Sequence, residues 1–416
     1  MAAPTWRSAV PPATGPLSGL RVVEISSFVA APLGGMTLAQ LGADVIRVDP
    51  RGGAADRHRW PLADTGTSIY WAGLNKGKRS VVADLRSDAG RQVVRDLVAA
   101  FPAGSGVVLT NSAGRDWLSH ERLSEVCPDL IHVLIEGRSD GSSAVDYTVN
   151  AESGFPLATG DGDRPVNHVL PAWDISCGLY AALAVSSAAR ERERTGQGTG
   201  VRLALADIAL AMAGNLGFLG EAELNGTSRE PIGNHIYGTF GRDFRCSDGG
   251  RFMVVALTGR HWRDLVSLTG MSEAVSALEG ALGADFSAEA ERYEYREALA
   301  GLFQRWFDSR TSEQARAALA GTSLLWAPYR SFAATVDALR SPGGANPLMS
   351  TLDQPGIGPH LAPGSPMRFG GAYESAEAAP ILGQHTAQVL ADELGMSAER
   401  IAALRTESAV QQADDL

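Results

Sequence analysis

Residues 21–49 read RVVEISSFVAAPLGGMTLAQLGADVIRVD, and the order of patterns within them decides the fold. Arg21-Val22-Val23-Glu24-Ile25 is a short β-branched run of the kind that forms a buried strand. Pro32 to Leu41 has the length and small apolar side chains of a helix, closed by Gly42. Ala43-Asp44-Val45-Ile46-Arg47-Val48-Asp49 is a second strand. Strand, helix and strand within about thirty residues make a parallel βαβ unit of Rossmann type, since parallel strands need a crossover and a helix is the usual one. The turn from Ser26 to Pro32 holds no GxGxxG. A dinucleotide cofactor is therefore disfavoured, because those glycines are what let a pyrophosphate approach the helix end.

Outward from this unit the same alternation continues. Arg79 to Leu85, Gly106 to Asn111 and Leu130 to Ile135 read as further buried strands, with a helix from Ala89 to Phe101 between them. The fold class is α/β, with an open parallel sheet. Val145 to Pro171 becomes rich in glycine and aspartate, a long irregular connection of the kind that carries sites. A helix from Asp174 to Arg194, a strand from Val201 and a helix from Asp207 to Leu219 follow. Gly196-Gln197-Gly198-Thr199-Gly200 precedes a strand and reads as a turn. Beyond Asn225, Gly238 to Leu257 reads as a hairpin turning at Asp248-Gly249-Gly250, and helices run on to Ala320. From Trp326 the chain is rich in proline and glycine until a final helix at Thr386 to Leu394. The expected division is a large Rossmann-like domain over residues 1–224, a smaller α+β domain over 225–325, and a return to the large domain over 326–416.

Composition limits the function classes. The chain has 416 residues, is 44% hydrophobic and 20% charged, and carries a formal net charge of -11. An acidic balance argues against nonspecific nucleic-acid binding, which needs clustered positive charge. Met1 to Gly19 lacks the apolar centre of a signal peptide and no run reaches the length of a membrane span, so a cytoplasmic location with no membrane partner is expected. Cys127, Cys177 and Cys246 are far apart and show no CxxC spacing, and the eight histidines are scattered. Neither a disulfide framework nor a metal site is expected.

One stretch points to chemistry: Pro171-Ala172-Trp173-Asp174-Ile175-Ser176-Cys177-Gly178 sets a lone acid at the start of a long helix. The positive end of the helix dipole favours an ionised carboxylate there, which can act as a nucleophile. Equally, Asp is among the commonest helix caps, and the local sequence by itself favours that reading of Asp174.

Phe28-Val29-Ala30-Ala31-Pro32, the strand ending at Asp49, Asn75-Lys76-Gly77-Lys78-Arg79-Ser80, the Asp174 segment, Arg192 to Gly198 and Ala379-Pro380-Ile381-Leu382-Gly383-Gln384-His385-Thr386 occur in the order seen in the family III CoA-transferases. From about Leu17 onward the chain resembles this family, which includes formyl-CoA transferase, carnitine CoA-transferase and the α-methylacyl-CoA racemases. Asn167 to Asp174 and Tyr237 to Phe244 are more particular than the family pattern and point to a subfamily. The resemblance implies a homodimer of two interlocked chains, an acyl-CoA substrate and no separate cofactor, coenzyme A entering as part of the substrate. It makes Asp174 the catalytic nucleophile.

The chemistry of that role follows from the residue type. A carboxylate that attacks a thioester forms a mixed anhydride, itself a reactive acyl donor, so the nucleophile can leave again. For an acyl group with two carboxyl ends, repeating the sequence at the other end moves CoA within one molecule. The alternatives are transfer between two different acids and a noncatalytic acyl-CoA-binding relative. Racemisation needs two opposed acid/base groups, and the racemases carry a His-Asp dipeptide where this chain has Val145-Asp146. Valine carries no proton, which leaves only His168 or His132 as substitutes and favours acyl transfer.

CoA phosphates need cations despite the acidic total, and Lys76, Lys78 and Arg79 with Arg51 form the densest basic cluster near the sheet's carboxyl edge. A solvated turn is the competing reading of that cluster. The resemblance tips it toward CoA, adds Phe28, Val29, Ala30 and Leu74 to the CoA-binding set, and places Asn111 and Arg115 at the nucleotide. Glu136 stands where formyl-CoA transferase can have a lysine, so that contact is expected to be lost. Tyr147, Asn150, Asn167 and His168, with Arg57 and Arg59, are candidates for a second substrate carboxylate, which must find a cation or donors. Gly233 and Gly238 are candidate positions for oxyanion-binding amides, and an ordinary turn is the other reading of that segment.

Overall fold

The computed structural model describes residues 14–160 and 162–415. The reading of Met1 to Gly19 falls mostly outside them. The strands are β1 (Arg21–Ile25), β2 (Asp44–Asp49), β3 (Arg79–Ala83), β4 (Gly106–Thr110), β5 (Ile131–Glu136), β6 (Thr199–Ala204), β7 (Phe240–Arg245), β8 (Arg251–Ala256), β9 (Leu325–Pro328), β10 (Met349–Gln354), β11 (Gly358–Pro363) and β12 (Val410–Gln411). The helices that matter for the site are α1 (Ala30–Gln40), α2 (Ile69–Leu74), α3 (Asp88–Ala99), α4 (His120–Ser124), α5 (Asp146–Glu152), α6 (Phe155–Ala158), α7 (Ala172–Thr195) and α8 (Leu205–Asn215).

Two compact units divide the chain. The first takes residues up to Ser153, then His168–Leu219 and Ala345 onward; the second takes Gly154–Asn167 and Gly220–Gly344. The first holds a seven-stranded sheet in the order β12-β3-β2-β1-β4-β5-β6. It is parallel throughout except for β12, which pairs antiparallel with β3. The central strands are buried on both faces and carry almost unbroken Val/Ile/Leu runs, as parallel strands covered by helices must. One face packs α3 and the helices Thr386–Leu394 and Ala398–Thr406 around Val94, Leu97, Val389 and Leu404.

Helices α1 and α7 lie on each other because glycines allow it. A methyl group on Gly178 would meet the Ala30 carbonyl oxygen at 2.5 Å, and one on Gly35 would meet the Glu24 carboxylate at 1.7 Å. The first contact is with backbone and fixes how closely α7 meets α1, whereas the second is with the end of the buried Glu24 side chain, which Lys78 holds in place. At the far end of α7, Arg192 donates to the carbonyls of Gly106 (2.6 Å) and Asp129 (3.1 Å), which lie at the amino ends of β4 and β5. The opposite end of α7, with Asp174, therefore lies toward the carboxyl edge of the sheet. Open α/β sheets bind ligands at that edge.

The second unit has its own core, in which the three-stranded sheet β7-β8-β9 packs on helices through Phe240, Phe244, Trp262, Phe303 and Phe307. The hairpin turns at the expected Asp248-Gly249-Gly250. Trp326, taken as the start of the return, instead lies in β9 opposite Val254. A strand of four residues carries too little periodicity to be seen in sequence, and the chain regains the first unit only at Ala345. Among the described residues no single helix is long and apolar enough to cross a membrane.

Candidate active site

Asp174 occupies the first turn of α7 but does not cap it. That task falls to Asp146, the first residue of α5, whose Oδ2 accepts from the backbone N–H groups of Trp173 (2.8 Å) and Asp174 (3.1 Å). Its other oxygen, Oδ1, lies 2.8 Å from His168 Nε2. Asp146 is 1% exposed, so its whole hydrogen-bonding capacity goes into holding this corner. The capping reading of Asp174 is thereby excluded, and its carboxylate is left without a hydrogen-bond partner among the described residues.

The electrostatics differ from a simple helix-dipole picture. Burial, and then the neighbouring charge of Asp146, push the Asp174 carboxyl up to about 7, with the Arg59 guanidinium acting against them. Desolvation is the larger cause, and the Asp146 charge at the same helix end adds to it. An unsolvated carboxylate is a stronger nucleophile than a hydrated one, which suits attack on a thioester. Cys177 is a nearby rival, but burial and the Asp174 charge push its thiol up to about 12, which keeps it protonated.

The loop between β1 and α1 faces this region. Phe28 has φ of +66°, a conformation that a bulky side chain seldom adopts, and its N–H donates to Asp56 Oδ2 at 2.8 Å. Asn111 clamps the residue before it, accepting from the Ser27 N–H (3.2 Å) and donating to the Ser27 carbonyl (2.8 Å). Beneath the loop, Arg47 is fully buried and contacts Asp49 (2.9 Å), Asp56 (3.4 Å), Asn75 (3.0 Å) and the Ser26 carbonyl (3.1 Å). Burial opposes its charge, but Asp49, Glu24 and Asp56 together hold the guanidinium ionised. The ring of Phe28, 41% exposed, lies under Arg59, whose guanidinium is 5.5 Å from it and 5.3 Å from the Tyr70 ring. Tyr70 is pushed up to about 12 by burial, with Asp174 and Asp56 adding to the rise and Arg59 opposing it.

Several sequence candidates have other duties. Lys78 is buried, with Nζ donating to Glu24 (2.9 Å), the Pro32 carbonyl (2.8 Å) and Asn75 (2.8 Å), so all three of its protons are used inside the protein. Burial lowers it to about 8. Arg79 is spent on Asp44 (2.6 Å) and Glu393 (2.7 Å) at the amino end of β3, the wrong edge for the site. Lys76 is buried against the Pro363 carbonyl (2.9 Å), and burial lowers its pKa. A basic run therefore marks internal ion pairs of Lys78 and Arg79 and a carbonyl contact of Lys76, and of this cluster only Arg51 is exposed, on the turn after β2. Val29 and Ala30 are buried at the start of α1, and Leu74 is half-buried at the end of α2.

Asn150 is 2% exposed and accepts from Trp173 Nε1 at 3.1 Å, so it positions that indole; Tyr147 is exposed, its ring 6.3 Å from His168. Glu136 is held by Arg202 at 2.6 Å, and Arg57 turns back to the Gly52 carbonyl at 3.1 Å. His132 is buried under the Leu118 carbonyl (2.9 Å), and with Thr110, Arg115, His120 and Arg202 it lines a cavity of about 550 Å³. Asn167, Gly233 and Gly238 belong to the second unit. The N–H of Gly233 is donated to the Gly160 carbonyl, which removes it as an oxyanion donor, whereas Gly238 is exposed with φ of +77°. Sequence reasoning missed Asp146, Asp56 and Arg47 as organisers. The one available signal was Arg47 itself, a lone cation inside the apolar run Val45-Ile46-Arg47-Val48.

The chain is 45% identical over 404 residues to 2-methylfumaryl-CoA isomerase of Chloroflexus aurantiacus, covering 96% of this chain and 99% of that one. It is 29% identical to succinyl-CoA:mesaconate CoA-transferase of Haloarcula hispanica, over 92% and 97% of the two chains. A crystal structure of a CAIB/BAIF family protein from Brucella suis superposes with a TM-score of 0.76 at 28% identity, covering 91% of this chain and 99% of that one. The profile of CoA-transferase family III matches residues 17–386. With nearly its whole length so matched, and a desolvated aspartate at the helix start by the sheet's carboxyl edge, this chain belongs to CoA-transferase family III.

Proposed function

We propose that the chain is an intramolecular CoA transferase that converts 2-methylfumaryl-CoA (mesaconyl-C1-CoA) into 3-methylfumaryl-CoA (mesaconyl-C4-CoA). The observation that carries this reading is Asp174, an unpartnered and desolvated carboxyl at the start of α7. The 45% identity to 2-methylfumaryl-CoA isomerase supports the choice of acyl group.

The Asp174 carboxylate attacks the C1 carbonyl, expels CoA thiolate and forms a mixed anhydride. The thiolate then attacks the aspartyl carbonyl, releasing the C1 carboxylate and leaving an Asp174–CoA thioester. After the acid turns over, its C4 carboxylate attacks that thioester and again expels thiolate. Attack of the thiolate on the new anhydride at C4 yields product and frees Asp174. No proton is gained or lost. Phe28, Arg51, Leu74 and Arg115 serve CoA binding in this reading, and Tyr147 and His168 border the acyl group. The functional particle is a cytoplasmic interlocked homodimer.

Confinement of the freed acid is what separates this reading from transfer between two acids. Enzyme given unlabelled mesaconyl-C1-CoA and isotope-labelled free mesaconate should yield C4 product with almost no label. Labelling at a rate comparable to isomerisation would assign the chain to the intermolecular transferases instead.

A further inference from the structure

The reading above needs a group that holds whichever carboxylate is not reacting. That group must be cationic, must lie beside the nucleophile, and must not be committed to an acid of the protein. The cations around the β1–α1 loop can be ranked on this basis. Arg47 and Lys78 are fully engaged with buried acids, and Arg57 turns back to the Gly52 carbonyl. Arg59 differs from them. It has no ion pair and no side-chain hydrogen bond among the described residues, is exposed, and its guanidinium lies over the Phe28 ring at 5.5 Å and over the Tyr70 ring at 5.3 Å.

Contact with aromatic rings steadies a guanidinium without using its N–H donors, which stay available for a bidentate carboxylate contact. The Phe28 side of this contact is itself rigid, since Phe28 is held by Asp56 through its N–H and Ser27 by Asn111. Arg59 also acts electrostatically on both Asp174 and Tyr70, which places it in the same neighbourhood as the nucleophile.

We propose that Arg59 is the specificity-determining anchor for the distal carboxylate of a dicarboxylic acyl-CoA, gripping C4 in the first half of the reaction and C1 in the second. The proposal rests on the isomerase reading and adds the residue that keeps the acid from leaving. One cation suffices for both halves, because the two carboxylates exchange places when the acid turns over. Monocarboxylic acyl-CoAs lack the group that Arg59 would grip.

The test compares the parent chain with Arg59→Gln and Arg59→Lys. For mesaconyl-C1-CoA, Arg59→Gln should raise KM about ten- to a hundredfold, the loss expected for a hydrogen bond to a charged group. It should also admit labelled free mesaconate into the product, while binding of crotonyl-CoA, which has no second carboxylate, stays within twofold of the parent. Arg59→Lys should fall between. Independently of any variant, the parent should bind crotonyl-CoA at least tenfold more weakly than the substrate, and equal affinities overturn the proposal even if Arg59→Gln fails to fold. A parent that isomerises mesaconyl-CoA while Arg59→Gln keeps its KM and excludes label refutes the anchor alone. A parent that leaves mesaconyl-C1-CoA unchanged refutes the isomerase reading beneath it.

Discussion

Replacing Asp174 by Asn should abolish transfer and, at alkaline pH, make the protein more stable. The folded chain holds this carboxyl at about 7 against an ordinary value of 3.8. Every tenfold gain in proton affinity on folding corresponds to about 1.4 kcal/mol, so the ionised form costs the fold up to about 4 kcal/mol, and roughly half that after allowance for partial solvent access. Below about pH 4 the carboxyl is protonated in folded and unfolded chains alike and contributes nothing. Between about pH 4 and 7 the unfolded chain ionises while the folded one keeps its proton, so stability falls as pH rises. Above about pH 7 the penalty is complete. An amide has no such titration. Asp174→Asn should therefore nearly match the parent in urea unfolding near pH 3.5 and exceed it by about 2 to 4 kcal/mol at pH 8, with no product formed at either pH. A difference between parent and variant that does not change with pH would refute burial and Asp146 as the source of the raised pKa, and turnover near the parental rate would remove Asp174 from the mechanism.

Asp146→Asn removes the second cause of that rise while retaining an oxygen for the Trp173 and Asp174 N–H groups, so the acid limb of the rate–pH profile should move to lower pH. The same variant should lose about 1 kcal/mol of stability through a weaker cap. Lys78→Ala leaves the buried Glu24 unpaired by its lysine and should destabilise by about 3 to 5 kcal/mol. Arg51→Ala should leave the unfolding midpoint unchanged and weaken CoA binding in calorimetry. The dimer should persist on dilution in sedimentation experiments, and a stable, active monomer would count against interlocked chains.

The large unit was legible because its strands are nearly pure apolar runs and its helices end in recognisable places. The strand Arg21–Ile25 and the helix Thr386–Leu394 lie where the pattern puts them. Short elements escaped because so few residues establish no period: α2 spans six residues, β9 four and β12 two. At the site, the type and place of Asp174 were readable, but its partners were not. Asp146 and His168 are 22 residues apart and meet only after α5 and α7 pack. The basic run Lys76-Gly77-Lys78-Arg79 pointed to a phosphate because sequence shows charges without their partners. Glu24, Asp44 and Glu393, which neutralise two of its cations, are distant in the chain.

The pairing of β12 with β3 has a consequence for how the molecule is made. Ribosomes deliver the chain from the amino end, so β3 emerges with one edge bare and stays so until Val410 and Gln411 arrive to pair with Ala83 and Val82. His385 and Thr386, which accept from the Ser80 and Val82 N–H groups, and Glu393, which neutralises Arg79, arrive equally late. Throughout translation of the second unit, the nascent sheet therefore presents unpaired backbone, with Asp44 left as the one acid on Arg79, the state most open to pairing with another chain. Products that stop short of Val410 and Gln411 should aggregate far more readily than chains that carry them, and a chaperone that shields this strand should be needed only until β12 has paired.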